Sequence, residues 1–251
     1  MKKIQAKAII FDYGNTLVLD PFFDILKLKM PNLRQALKEL GYKFTNNQII
    51  VNWSAANEEI NYPHLTHFAQ EEPIVVRVLQ QLGIKESDVF PLSKKFLKIY
   101  RDGYSEIYRK KNSRKEEIKR TLKRLKRMGK KLAVFSDGRK FDVETAMRLH
   151  GFSKQFDFII ASEEIGIEKP NPLVFKFLIK KIKESPENIV YIGDYPIKDI
   201  KGAKRVRMKV ILYIPPKKYR ISFPWRNYNK NIKIIPDAII RKISTLLKIL
   251  V

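Results

Sequence analysis

Residues 7–12, KAIIFD, form a short apolar run that ends on an acid. A run of that length with no polar alternation is the pattern of a strand buried on both faces of a parallel sheet. The pattern returns in KLAVFS (131–136), FDFIIAS (156–162), NIVYIGD (188–194) and KVILYI (209–214). Between these runs the apolar positions shift to helical spacing, in segments 113–129, 141–151, 171–182 and 197–206. In the first of them Ser113 and Glu116 make a capping-box pattern, and Gly129 supplies the stop. Ile118, Leu122, Leu125 and Met128 form the stripe expected to be buried. Strands that alternate with helices predict right-handed crossovers and an α/β fold, a Rossmann-like parallel sheet with helices on both faces. PDAIIRKISTLLKIL (236–250) adds a short strand and a helix.

The texture differs between residues 18 and 108, where no strand alternation occurs. NLRQALKELG (32–41) reads as an amphipathic helix ending on Gly41. TNNQIIVNWSAANEEI (45–60) offers Thr45 as N-cap, with Ile49, Trp53 and Ile60 near helical spacing. EEPIVVRVLQQLG (71–83) and PLSKKFLKIYRDGYSEIY (91–108) continue the period. The expected organisation is a discontinuous α/β core, 1–17 with 109–251, and an all-helical insert at 18–108.

Composition removes several possibilities. The chain has 251 residues, 44% of them hydrophobic, enough for a sizeable core. It has no cysteine, which excludes disulfides, thiolate nucleophiles and thiolate metal sites. The N-terminal MKKIQAKAIIFD has too short an apolar run for a signal peptide, and no stretch of about 20 apolar residues occurs. A cytoplasmic address with no membrane partner is the expectation. Charge is the unusual quantity: 51 Lys and Arg against 26 Asp and Glu give a formal +25. Such a field attracts anions, whether a nucleic acid, an anionic lipid surface or a phosphorylated substrate. The plainer reading is a surface that is basic throughout, because the cations spread over 109–131, 176–183, 198–209 and 217–220. The aromatic and basic loop 215–231 has two readings, a platform for stacked bases or a cover for the core's apolar edge. His64 and His67, three apart in the insert, fit a cap surface better than a metal site.

In open α/β sheets ligands bind beyond the carboxyl ends of the strands. Asp12 and Thr16 follow the first strand, Ser136 and Asp137 the second, Lys169 a later one, and Asp194 and Asp199 the fourth. Carboxylates with a backbone carbonyl suit Mg²⁺, and a hydroxyl with an ammonium suits a phosphoryl group.

These four stretches, in this order, resemble the motifs of the haloacid dehalogenase superfamily of phosphohydrolases. Asp12 to Thr16 match its first motif, Ser136 its second, Lys169 in KPNP its third, and GDYPIKD at 193–199 its fourth. The insert resembles the helical cap that many members carry between the first two motifs. The resemblance implies that Asp12 attacks phosphorus and becomes an aspartyl-phosphate. It implies Mg²⁺ held by Asp12, the Gly14 carbonyl and Asp194, with Asp199 in support. Ser136 and Lys169 would hold the phosphoryl oxygens, and the cap would admit a small phosphorylated metabolite.

One position departs from the family. Where its phosphatases carry a second Asp, as general acid and later base, this chain has Gly14. Such help is worth about 10²–10⁴-fold. The following residue, usually Gly in the family, is Asn15, which tolerates left-handed backbone. The turn is therefore expected to survive without the acid. Dehalogenating members also lack that Asp but are metal-independent, and retention of both Asp194 and Asp199 argues against that branch. The expectation is a Mg²⁺-dependent phosphohydrolase, slow or limited to good leaving groups. The alternatives are a catalytically weak binding protein of the same family and a nucleic-acid-associated basic protein.

Overall fold

The computed structural model describes residues 3–19, 21–61, 71–110, 113–216 and 235–251. His64, His67 and residues 217–231 of the aromatic and basic loop lie outside the described residues. The chain divides into two compact units, Met1–Asp20 with Lys111–Val251, and Pro21–Lys110.

The first unit is built on six strands: β1 (Ala8–Asp12), β2 (Lys131–Ser136), β3 (Phe158–Ala161), β4 (Ile189–Gly193), β5 (Lys209–Tyr213) and β6 (Ala238–Ile240). All neighbours pair in parallel, in the order β3-β2-β1-β4-β5-β6. β1 is central, and Ala8, Ile9, Ile10 and Phe11 are fully buried. This is the both-faces burial that its unbroken apolar run predicts. On one face Ile10, Phe135 and Tyr191 pack with Phe175 and Leu178 in a single apolar cluster. Strand order moves outward from β1 through β2 to β3, then restarts on its other side at β4. That reversal makes a switch point at the carboxyl ends of β1 and β4, the crevice where such sheets place ligands.

The sequence-expected helices 113–129, 141–151 and 171–182 appear as Ser113–Arg127, Lys140–His150 and Pro172–Ile182. Met128 is 39% exposed rather than part of the buried stripe, because the first of these helices has ended by Arg127. After β4 the expected α-helix is replaced by a π-helical turn, Pro196–Lys201, that runs into a short α-helix, Gly202–Lys204. Wide turns of this kind collect at functional sites, and this one carries Asp199.

The second unit holds α1 (Phe22–Lys38), α2 (Asn46–Asn61), α3 (Glu71–Gln81) and α4 (Glu86–Arg109). Leu26, Leu33, Trp53, Val75, Val78 and Phe96 share its core. The Trp53 ring stacks on Phe96 at 5.9 Å between centroids. Thr45 caps α2 as its sequence promised. Its hydroxyl accepts the Gln48 N–H at 3.2 Å, and the Gln48 side chain accepts the Thr45 N–H at 2.8 Å. Two prolines mislead the eye. Helices expected to begin at 32 and 91 begin at Phe22 and Glu86, and Pro31 and Pro91 lie inside them. Each proline removes one helical hydrogen bond, but the buried stripe Ile25, Leu26, Met30, Leu33 and Leu37 carries α1 through. Among the described residues, no helix is long and apolar enough to cross a membrane.

Candidate active site

The site starts from the turn after β1. Asn15 adopts φ 54°, the left-handed conformation its side chain tolerates. Its N–H donates to the Val18 carbonyl at 2.7 Å, and the Leu17 and Val18 N–H groups both donate to Tyr13 at 3.0 Å. Thr16 is fully buried and its hydroxyl donates to Asp12 Oδ2 at 3.1 Å. Arg114, on the helix Ser113–Arg127, donates to the carbonyls of Thr16 and Leu17, each at 2.7 Å. The turn is thus held from inside by backbone bonds and from outside by a guanidinium. Gly14 lies within it with ordinary backbone, and a Cβ built there meets nothing within 4 Å.

Lys169 lies beyond β3, and its N–H donates to Asp137 Oδ1 at 3.1 Å. The ammonium donates to Asp12 Oδ1 and to Asp199 Oδ1, both at 2.7 Å. It also lies 5.6 Å from the Phe135 ring centre and 5.9 Å from that of Tyr191. Asp199 is further fixed by the Tyr195 N–H, at 2.9 Å, and the Tyr191 hydroxyl, at 3.4 Å. Gly193 permits this approach, since a Cβ there would fall 2.3 Å from the Asp199 carboxylate. Asp12, Asp194 and Asp199 are all buried, and each offers an oxygen within 4.8 Å of the others'.

The structure therefore brings Asp12, Lys169, Asp194 and Asp199 together at the switch point. Ser136 ends the neighbouring strand and is buried, with Phe135 in register with Asp12. Its hydroxyl donates to the Asp137 carbonyl at 3.2 Å. Sequence reading passed over three supports. Arg114 is hidden among the many cations of its helix. Tyr191 reads as an ordinary apolar strand residue. Lys198, beside the motif acid Asp199, pairs with Asp137 at 3.1 Å and faces Glu168 at 3.7 Å.

Electrostatics set the chemistry. Burial disfavours the Asp12 carboxylate, Lys169 pulls the other way and Asp199 adds repulsion, so Asp12 is raised to about 7. Burial also disfavours the Lys169 ammonium, but Asp12 and Asp199 outweigh it and hold its pKa well above the ordinary lysine value. The Lys169 ammonium pairs with two of the three buried carboxylates, Asp12 and Asp199, and Asp194 offers an oxygen within 4.8 Å of theirs. A hard divalent cation with oxygen ligands fits that set in charge and donor type.

A family model of haloacid dehalogenase-like hydrolases matches residues 9–213, nearly all of the first unit's sheet and the insert. The chain belongs to this family. Among curated relatives, a glyceraldehyde 3-phosphate phosphatase of Methanopyrus kandleri is 36% identical over 120 residues, covering 47% of this chain and 48% of the relative. A ribulose-1,5-bisphosphate 5-phosphatase of Halopiger xanaduensis is 23% identical over 215 residues, 84% of this chain and 86% of the relative. The chain spans about half the length of the first of these. Solved haloacid dehalogenase-like structures share the fold along the chain. A 2-haloacid dehalogenase of Pseudomonas syringae superposes with a TM-score of 0.64 at 22% identity, covering 97% of each chain. A phosphatase of Thermococcus onnurineus gives 0.61 at 20%, again over 97% of each.

Proposed function

We propose that the chain is a Mg²⁺-dependent phosphohydrolase that acts on a small phosphorylated metabolite through an aspartyl-phosphate at Asp12. The observation that carries this reading is the buried cluster of Asp12, Lys169, Asp194 and Asp199 at the sheet's switch point. The phosphatase names of the relatives, acting on sugar phosphates, support the substrate class.

Asp12, Asp194 and the Gly14 carbonyl would hold Mg²⁺, with Asp199 supporting them, and the ion would neutralise charge on the transferring phosphoryl group. An Asp12 oxygen attacks phosphorus, and the bond to the leaving oxygen breaks with its electron pair. Lys169 offsets the charge that builds at Asp12 and the phosphoryl oxygens, and Ser136 holds one of those oxygens. Water then attacks the aspartyl-phosphate and releases inorganic phosphate, returning Asp12 as a carboxylate. Gly14 has no proton to give the leaving oxygen and no base for the water. Acyl and aryl phosphates, whose leaving groups are stable anions, therefore react faster than alkyl phosphates such as those of the relatives.

The test is phosphate release from an aryl phosphate. Release should need Mg²⁺, stop with chelator, and fall at least about 10³-fold in Asp12→Asn, the scale for loss of a nucleophile. A folded parent that releases no phosphate from any aryl or acyl phosphate contradicts the reading. So does an Asp12→Asn variant as active as the parent.

A further inference from the structure

A cleft of about 540 Å³ lies within the helical unit, along α1 and the segment that joins it to α2. That is the size of a small-molecule site. Lys27, Arg34 and Lys38 line it from α1, at a spacing (i, i+7, i+11) that puts all three on one helix face. Lys43 adds a fourth cation, and no acidic residue lines the cleft.

Among the described residues, the cations of this unit divide into those with an ion pair and those without, and the four in the cleft belong with Lys85, Lys94, Lys98 and Arg109 among the latter. What sets the four apart is that they line one concave wall. Lys29, Arg77, Lys95, Arg101 and Lys110 each make an ion pair with a glutamate of the same unit. Among the described residues, Lys27, Arg34, Lys38 and Lys43 make no such pair, and all four are exposed. The cleft therefore concentrates uncompensated positive charge in a concave wall, where a wholly solvated basic face would spread it.

Its second feature is aromatic. Tyr42 and Phe44, both half-buried, line the same cleft, with rings nearly parallel, 6.4 Å apart and 15° from coplanar. Tyr42 is fixed in place: its hydroxyl donates to Asp88 Oδ2 at 2.7 Å and accepts the Lys85 N–H at 3.1 Å. Arginine and lysines suit phosphoryl oxygens, and a fixed ring suits a flat π-face.

We propose that this cleft binds a small polyphosphate anion carrying an aromatic ring, the chemistry of a nucleoside di- or triphosphate. The site is built from the helical unit alone, and none of Asp12, Ser136, Lys169, Asp194 or Asp199 lines it. The volume favours a mononucleotide over a nucleic-acid strand, which tracks an extended groove instead. The proposal stands independently of phosphohydrolase activity.

The experiment is calorimetric titration of the full chain with ADP, in chelator so that no divalent cation takes part. The probes beside it are pyrophosphate and a single-stranded oligonucleotide. Lys38→Glu with Lys43→Glu should weaken ADP at least about tenfold, and Lys38→Gln with Lys43→Gln should weaken it less. Lys94→Glu with Lys98→Glu, which makes the same change in net charge on exposed residues away from the cleft, should leave ADP binding within about twofold. Pyrophosphate should bind at least about tenfold more weakly than ADP, because it leaves the rings uncovered. Thermal melting of each variant confirms that it is folded. No ADP binding by the parent overturns the proposal. Binding that survives both changes at Lys38 and Lys43, or that falls equally in the Lys94 and Lys98 control, also overturns it. Pyrophosphate as tight as ADP, or the oligonucleotide tighter, would do the same.

Discussion

At residue scale, the site is governed by one carboxylate that resists ionisation. Asp12 has a folded pKa of about 7 against 3.8 unfolded, with burial the largest cause. A carboxylate raised on folding destabilises the native state progressively as pH climbs from about 4 to about 7, and by a constant amount above that. Asp12→Asn removes this dependence. In chelator, the gain in melting temperature of the variant over the parent should therefore be larger at pH 7 than at pH 5. An equal difference at both pH values would mean that Asp12 already ionises freely in the metal-free protein. Gly193 is the second residue whose identity is forced at this scale. No side chain fits between its backbone and Asp199, so the glycine of the fourth motif makes room for the acid six residues on. Gly14 is the opposite case, since open space surrounds it and packing does not require a glycine there.

At the scale of elements, the strands were the most legible part of the sequence. Each unbroken apolar run became a parallel strand, buried throughout or nearly so except in the edge strand β3, because a strand covered on both faces needs no polar alternation. Three of the four motif stretches were legible for the same reason, since Asp12, Ser136 and Asp194 lie where such a run stops, whereas Lys169 comes eight residues after β3 and was legible from its KPNP context. Helix starts were less so. Pro31 and Pro91 mark starts by local preference, but burial of the α1 and α4 stripes outweighs the hydrogen bond each proline removes. Arg114 and Tyr191 were not legible at all: the partners of Arg114 are backbone carbonyls far away in sequence, and Tyr191 meets Asp199, eight residues on, only through the turn that folds back after β4. Two substitutions gauge the helical unit. Trp53→Ala empties the stack against Phe96 and Tyr100 and should cost about 3–5 kcal/mol in denaturant unfolding. Thr45→Ala removes the hydroxyl that accepts the Gln48 N–H and donates to the Gln48 side chain and should cost about 0.5–2 kcal/mol. If Thr45→Ala were the more costly of the two, the cap rather than the aromatic core would be what stabilises this unit.

At the scale of the whole molecule, the chain combines a unit built on a parallel sheet with a helical unit that has its own core. We propose that residues 21–110 act as a cap that selects the substrate, as lids do by excluding water. Replacing them with a short Gly/Ser linker should change the ranking of substrates and leave Mg²⁺ affinity, measured by calorimetry, within about threefold. A folded replacement with an unchanged ranking would remove that role. The central claim is that this family member retains nucleophile, ammonium and metal carboxylates while lacking the acid at position 14. Gly14→Asp restores the carboxylate in a turn already shaped by Asn15 at φ 54° and Arg114, at a position where a Cβ meets nothing within 4 Å. The most direct measurement is kcat/KM of parent and Gly14→Asp on a matched pair, one aryl and one alkyl phosphate, with Mg²⁺ present. The account predicts a parent strongly biased to the aryl ester. In the variant, the alkyl rate should rise within the range of about 10²–10⁴-fold expected of general acid–base catalysis, and the aryl rate far less. A parent that already hydrolyses the alkyl phosphate as fast as the aryl one, with a folded variant that gains nothing selectively, would contradict it.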